Sequence, residues 1–131
     1  MGPGCGGGSD GDNPPAAGAG GSLVGTWVGE YQHPEGTRQL TLRIASHEGN
    51  YFVGTWVSSN GPEGDVSGTV TGSQMEFVAD YSSFICAGIF NGTGVLSETG
   101  GRMRMDMTWS GTDCGEPIND IPSWVERVAG P

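Results

Sequence analysis

Lysine is absent from this chain, and its only basic residues are five arginines. Without a lysine amine there is no Schiff-base or lysine-base chemistry. Acidic residues outnumber basic ones 15 to 5, a formal net charge of −10. That balance opposes binding to the phosphate backbone of nucleic acid. It equally opposes purely electrostatic attraction to anionic lipid. Long apolar runs are missing too: nothing approaches the ~18 residues of a transmembrane helix. Apolar residues make up 34%, below the usual ~45–50%. The 131 residues suit one domain. Glycine alone is in excess, with 26 copies and none of collagen's three-residue period.

The glycines fall into two populations. Residues 1–22 hold nine Gly and three Pro, beside Met1, Cys5, Ala16, Ala17 and Ala19. Such a segment cannot bury enough surface to offset its ordering entropy. It is expected to be a disordered, Gly-rich tether, with a single β-barrel domain over 23–131. The folded part runs from Leu23 to about Ala129.

From Leu23 onward the apolar period is two. Turn signals interrupt it at His33-Pro34-Glu35-Gly36, Glu48-Gly49-Asn50, Asn60 to Gly64, Thr71-Gly72-Ser73 and Thr99-Gly100-Gly101. Strands are expected near 23–32, 38–46, 51–58, 65–71, 74–80, 84–96, 102–111 and 123–129. Ile118–Trp124 is the one stretch with room for a short helical turn. Eight sequential strands on short turns predict an all-β, eight-stranded antiparallel up-and-down barrel. A β-sandwich is the competing all-β answer, but barrel closure removes exposed edges without long crossovers.

Several strands have a readable inner face. Leu40, Leu42 and Ile44 alternate with Thr41 and Arg43, and Met75, Phe77 and Ala79 with Glu76 and Asp80. Gly25, Trp27, Gly29 and Tyr31 share one face, and so do Phe52, Gly54 and Trp56. Glycine in such strands permits the bends that close a small barrel.

Three cysteines remain to be placed: Cys5, Cys86 and Cys114. A turn at 98–101 pairs Leu96 with Met103, Gly92 with Met107 and Phe90 with Trp109. It sets Cys86 against Asp113, one residue short of Cys114. A single bulge at Gly111 or Gly115 brings the two cysteines opposite, so a Cys86–Cys114 disulfide is predicted. A disulfide implies an oxidising compartment. Cys5 is left unpaired in Gly4-Cys5-Gly6-Gly7-Gly8-Ser9-Asp10. That context resembles the mature start of a bacterial lipoprotein, whose Cys carries a diacylglyceryl group. The resemblance implies that Cys5 is lipidated and the protein is anchored at the bacterial cell envelope, touching membrane only through that anchor. The apolar signal region of a precursor is then expected upstream of these residues, or trimmed away.

Gly25-Thr26-Trp27-Val28 recurs as Gly54-Thr55-Trp56-Val57. A Gly-X-Trp opening the first strand resembles the calycin superfamily of lipocalins, fatty-acid-binding proteins, avidins and small protease inhibitors. There the Trp packs at the barrel base under a basic residue from the C-terminal end. The resemblance makes Arg127 that residue for Trp27, with cation–π attraction of about 0.5–2 kcal/mol. The avidin pattern is nearest, on Leu23–Val28, Thr108-Trp109 and Trp124. It implies that the last two Trp regions wall a ligand site. The chain departs from avidins where they carry the Asn and Ser that bind a ureido oxygen. Gly29 stands at the Asn position, followed by Glu30, Tyr31 and Gln32, and no Asp follows Trp124. A site built on buried hydrogen bonds fails when they are missing, which counts against biotin. The Gly-rich start, Gly-Thr-Trp, Val66–Val70 and the two late cysteines also look like small bacterial lipoproteins.

No catalytic constellation stands out, and the chain is read as a non-enzyme. Met103, Met105 and Met107 match the spacing of Cu(I)-binding thioethers, but a core strand with flexible gap-fillers is the simpler reading. His33 and His47 fall in turns and read as surface residues, with no zinc cluster. Asp113, Glu116, Asn119 and Asp120 read as a solvated acidic loop without EF-hand spacing. No metal or cofactor is expected. The leading functional expectation is a small, partly apolar ligand in the barrel mouth, with Trp27, Tyr31, Phe52, Trp56, Trp109 and Trp124 lining it or forming its base. A module that binds a basic protein such as a protease or lysozyme, through loops 60–64 and 112–122 or the acidic wall, is the alternative. A structural envelope protein with no ligand is the third. A cavity of about 300 Å³ or more separates the first from the second.

Overall fold

The computed structural model describes residues 22–82 and 86–129. Cys5 and the rest of 1–21 lie outside the described residues. Eight strands follow in order: β1 Gly25–His33, β2 Gly36–Glu48, β3 Tyr51–Ser58, β4 Glu63–Thr71, β5 Gln74–Ser82, β6 Ala87–Thr99, β7 Arg102–Asp113 and β8 Glu116–Ala129. Each pairs antiparallel with the next, and β1 pairs with β8, closing the barrel. The inward faces are those that alternation marks: Leu40, Leu42, Ile44, Met75 and Phe77 are buried in one core. Met105 and Met107 are buried there too, with Met103 packed alongside, so the methionine run is core.

Three local expectations are corrected. The first is the β6–β7 register, which pairs Leu96 with Met105 and Gly92 with Trp109, two residues away from expectation. Thr99 pairs Arg102 across Gly100 and Gly101, whose φ values are +62° and +81°. A two-residue turn with both φ positive fits the twist of a hairpin. The expected register put Thr99 at one of those positions, where a β-branched residue is strained.

Secondly, Glu116–Trp124 is strand, with neither a helical turn nor an acidic loop. Buried Ile118, Ile121 and Val125 mimic a helical spacing. That spacing arises because the β7–β8 register shifts between Trp109 and Gly111, and Asp120 takes φ +55°. Thirdly, the disulfide joins Cys86 to Cys114 as predicted, but no bulge in β6–β7 is needed. Pairing is continuous from Gly88–Asp113 to Thr99–Arg102. Cys114 instead occupies the β7–β8 turn with Gly115, both at positive φ.

One end of the barrel is plugged. Leu23 and Trp27 are fully buried there. The Trp27 indole donates to the Leu23 carbonyl at 2.9 Å. Arg127 lies over the Trp27 ring at 5.3 Å and donates to the Ser22 carbonyl at 2.7 Å. His47 completes the plug: its Nδ1 accepts from the Leu23 amide at 3.0 Å. The imidazole is therefore neutral with its proton on Nε2, which is buried without a partner. Far from a plain surface residue, His47 is held below the ordinary histidine pKa by burial, partly offset by the nearby Gly49 backbone.

The unfolded chain thus binds more protons than the folded one below about pH 6.5. Stability is complete above that pH and is lost as pH falls toward the lower folded value. Thermal melts from pH 7.5 to 5 should show this loss. The slope should flatten in His47→Gln, whose carbonyl oxygen can take the same amide without titrating; an unchanged slope would assign the pH dependence to other groups.

Candidate functional site

The opposite end of the barrel is open. It carries the β1–β2, β3–β4 and β7–β8 turns, and a cavity of about 1050 Å³ runs inward from it. The floor is aliphatic and thioether, from Leu40, Leu42, Met75, Met105 and Met107. The walls are aromatic. Tyr31 packs against Trp109 at 5.4 Å between ring centroids, Trp109 against Phe90 at 5.0 Å, Phe90 against Tyr81 at 6.0 Å, and Tyr81 against Trp56 at 5.9 Å. Offset and edge-to-face pairs of this kind are the favoured arrangements. Gly88 makes room for them: a Cβ there would collide with the Tyr81 ring and crowd Phe90.

The polar handles of these rings are tied into the wall. The Trp56 indole donates to the Asp80 carbonyl at 3.0 Å, and the Trp109 indole to Ser123 Oγ at 3.0 Å. The Tyr31 hydroxyl shares a 2.8 Å hydrogen bond with Ser58 Oγ, which also accepts from the Asn60 amide. Ser58 and Ser123 are the buried polar residues of the described core, and pairing is what makes their burial tolerable.

At the rim, Asp113 gathers two donors. The Tyr81 hydroxyl donates to it, and His33 Nε2 stands 3.1 Å from its other oxygen. Burial, then the Asp113 carboxylate, holds the Tyr81 phenol well above its ordinary pKa. His33 Nδ1 accepts from the Glu35 amide at 3.1 Å, so both imidazole nitrogens are engaged. His33 is thus half-buried and fixed, a correction to its reading as a surface residue. The Tyr81 hydroxyl also lies 3.3 Å from Cys114 Sγ, and Cys86 and Cys114 both border the opening.

Among the sequence-derived candidates, Tyr31, Phe52, Trp56 and Trp109 line this cavity together. Trp27 sits in the plug at the far end. Trp124 does not line the cavity. Its chain neighbours Ser123 and Val125 are buried while it is only partly so, and Arg104 lies over its ring at 4.5 Å. Its expected role as a wall is therefore corrected: β8 turns it to the outer surface. Tyr81 and Phe90 were not among the candidates, although both continue the inner alternation of Phe77-Ala79 and of β6. Among the described residues no group of three or more His, Cys, Asp or Glu side chains could hold a metal ion.

Neither a protein-family model nor a curated protein sequence matches the chain. Solved structures do. A low-affinity mutant of shwanavidin matches with a TM-score of 0.59 at 17% identity, over 81% of this chain and 97% of that one. Apo shwanavidin matches with a TM-score of 0.58 at 17% identity, over 79% and 95%. The fold is avidin-like. The avidin-like barrel here is entered at the end opposite the Trp27 plug, and its disulfide borders that entrance.

Proposed function

We propose that this avidin-like barrel is a non-catalytic binding protein that takes a small, partly apolar ligand into its mouth. It is carried at the bacterial cell envelope by a lipid on Cys5. The observation that carries the binding reading is the cavity of about 1050 Å³, walled by aromatic rings from five strands. That is the size of ordinary ligand sites, at or just above the upper end of about 300–1,000 Å³. The cavity favours this reading over the protein-binding alternative, which needs no lumen. The histidine and the serine at the mouth form no nucleophile–base pair. Both nitrogens of His33 are occupied, and Ser58 Oγ is bound by Tyr31 and Asn60 with no imidazole beside it.

The ligand differs from biotin in this reading. Gly29 occupies the position where the avidin pattern has Asn, and the Trp124 carbonyl fills the space a Cβ would take. No side chain fits there without moving β8.

The neutral dye N-phenyl-1-naphthylamine tests the site. Its fluorescence should rise on mixing with the protein, and Trp56→Ala should weaken binding about tenfold through loss of one aromatic wall. No rise with the folded wild type would overturn the reading. Mass spectrometry of protein purified from its native host tests the anchor, through the diacylglyceryl mass on Cys5; an unmodified Cys5 would remove it.

A further inference from the structure

We infer that the ligand is a cation: a protonated or quaternary amine on an apolar body. This rests on the ligand-binding reading above and adds the chemistry of the guest.

Three features of the cavity converge. First, its walls offer rings and few donors. The indole N–H groups of Trp56 and Trp109 and the Tyr81 hydroxyl donate to wall partners, and the Tyr31 hydroxyl shares its hydrogen bond with Ser58 Oγ. A carboxylate or urea guest needs N–H or O–H donors and finds three of these directed into the wall. An ammonium group needs none, because the negative faces of aromatic rings attract it. Rings from five strands surround one lumen: Tyr31, Trp56, Tyr81, Phe90 and Trp109.

Second, the entrance is acidic. Glu35, Glu63, Asp113 and Glu116 border the cavity, against a single guanidinium, Arg38. Arg38 is already paired with Glu35 at 3.3 Å. Three carboxylates remain without an arginine. Asp113 is held by the Tyr81 hydroxyl on one oxygen and His33 Nε2 on the other, which fixes its direction at the rim.

Third, the whole molecule has a formal net charge of −10. A cleft of one sign within low-dielectric walls concentrates counter-ions at its opening. The field, the rim and the walls therefore all select the same charge, and they penalise an anion at each stage of entry.

Calorimetry on the full chain at low ionic strength, with three guests sharing a 3-phenylpropyl body, separates the two levels of this argument. The bodies carry trimethylammonium, hydroxyl or carboxylate. The ammonium is expected to bind at least tenfold tighter than the alcohol, and the carboxylate most weakly. The double variant Glu63→Gln/Glu116→Gln should cut the ammonium affinity several-fold and leave the alcohol unchanged. Alcohol binding as tight as the ammonium, or a carboxylate that binds best, overturns the charge assignment while the ligand site stands. No heat from any of the three overturns both.

Discussion

Trp27→Ala is expected to lower the unfolding free energy by about 3–5 kcal/mol, a large share of the roughly 5–15 kcal/mol available to a domain of this kind. The reason lies in the plug. Trp27 is fully buried, its indole donates to the Leu23 carbonyl at 2.9 Å, and Arg127 lies over its ring at 5.3 Å. Truncation leaves a cavity that β1 and β8 cannot collapse into, because their backbones are paired to each other. It also strands the Arg127 guanidinium over an empty floor. Trp27→Phe should restore most of the packing and lose about 1 kcal/mol through the missing hydrogen bond. Urea unfolding followed by circular dichroism checks both variants. A cost for Trp27→Ala under 1 kcal/mol would mean that the plug does not hold the barrel shut. Binding of a neutral dye by Trp27→Phe should be unchanged, since the plug and the mouth lie at opposite ends.

The second large effect is expected from the disulfide. Cys86 and Cys114 are 28 residues apart in sequence. Closing a loop of that length in the unfolded chain corresponds to about 3–4 kcal/mol of stabilisation. The paired variant Cys86→Ser/Cys114→Ser should therefore melt well below the oxidised protein, by roughly ten degrees or more for a domain of this size. Reduction of the wild type should reproduce that shift, and the reductant should leave the melt of the double variant unmoved. Coincident melts of oxidised and reduced protein would count against any stabilising role. Because Cys114 also lies beside the Tyr81 hydroxyl, the double variant should loosen ligand affinity together with stability.

How much of this was legible before the structure depends on which interaction sets each feature. Strand faces are set by a two-residue period, so Leu40-Leu42-Ile44 and Met75-Phe77 declare themselves. Closure follows from eight short hairpins. The β6–β7 register was missed by two residues because it is decided by which residues of Thr99-Gly100-Gly101 tolerate positive φ, a local backbone matter. The first half of β8 is hidden from the sequence because one register shift breaks its alternation and leaves Ile118, Ile121 and Val125 in helical spacing.

The site was half readable. Tyr31, Phe52, Trp56 and Trp109 lie on inner faces that alternation exposes. Trp124 was assigned by resemblance, and the phase of β8 turns it outward beneath Arg104. Tyr81 was lost because β5 runs two residues beyond its expected end. The His33–Asp113 contact joins residues 80 positions apart, and no local pattern announces such a meeting.

The order of strands in space repeats their order in the chain, with one exception. Seven of the eight pairings are hairpins, which need only a short loop to close. The eighth joins β1 to β8 and brings Thr26 to Ala129. Forming it carries the entropic cost of circling nearly the whole domain, and that cost grows only slowly with length. The ribbon of hairpins can assemble early while the seam waits, as non-local pairing generally does. Until it closes, two strand edges stay open to other chains. Trp27, Val125 and Arg127 flank that seam, so the residues that plug the base also set how long the folding chain remains exposed to its neighbours.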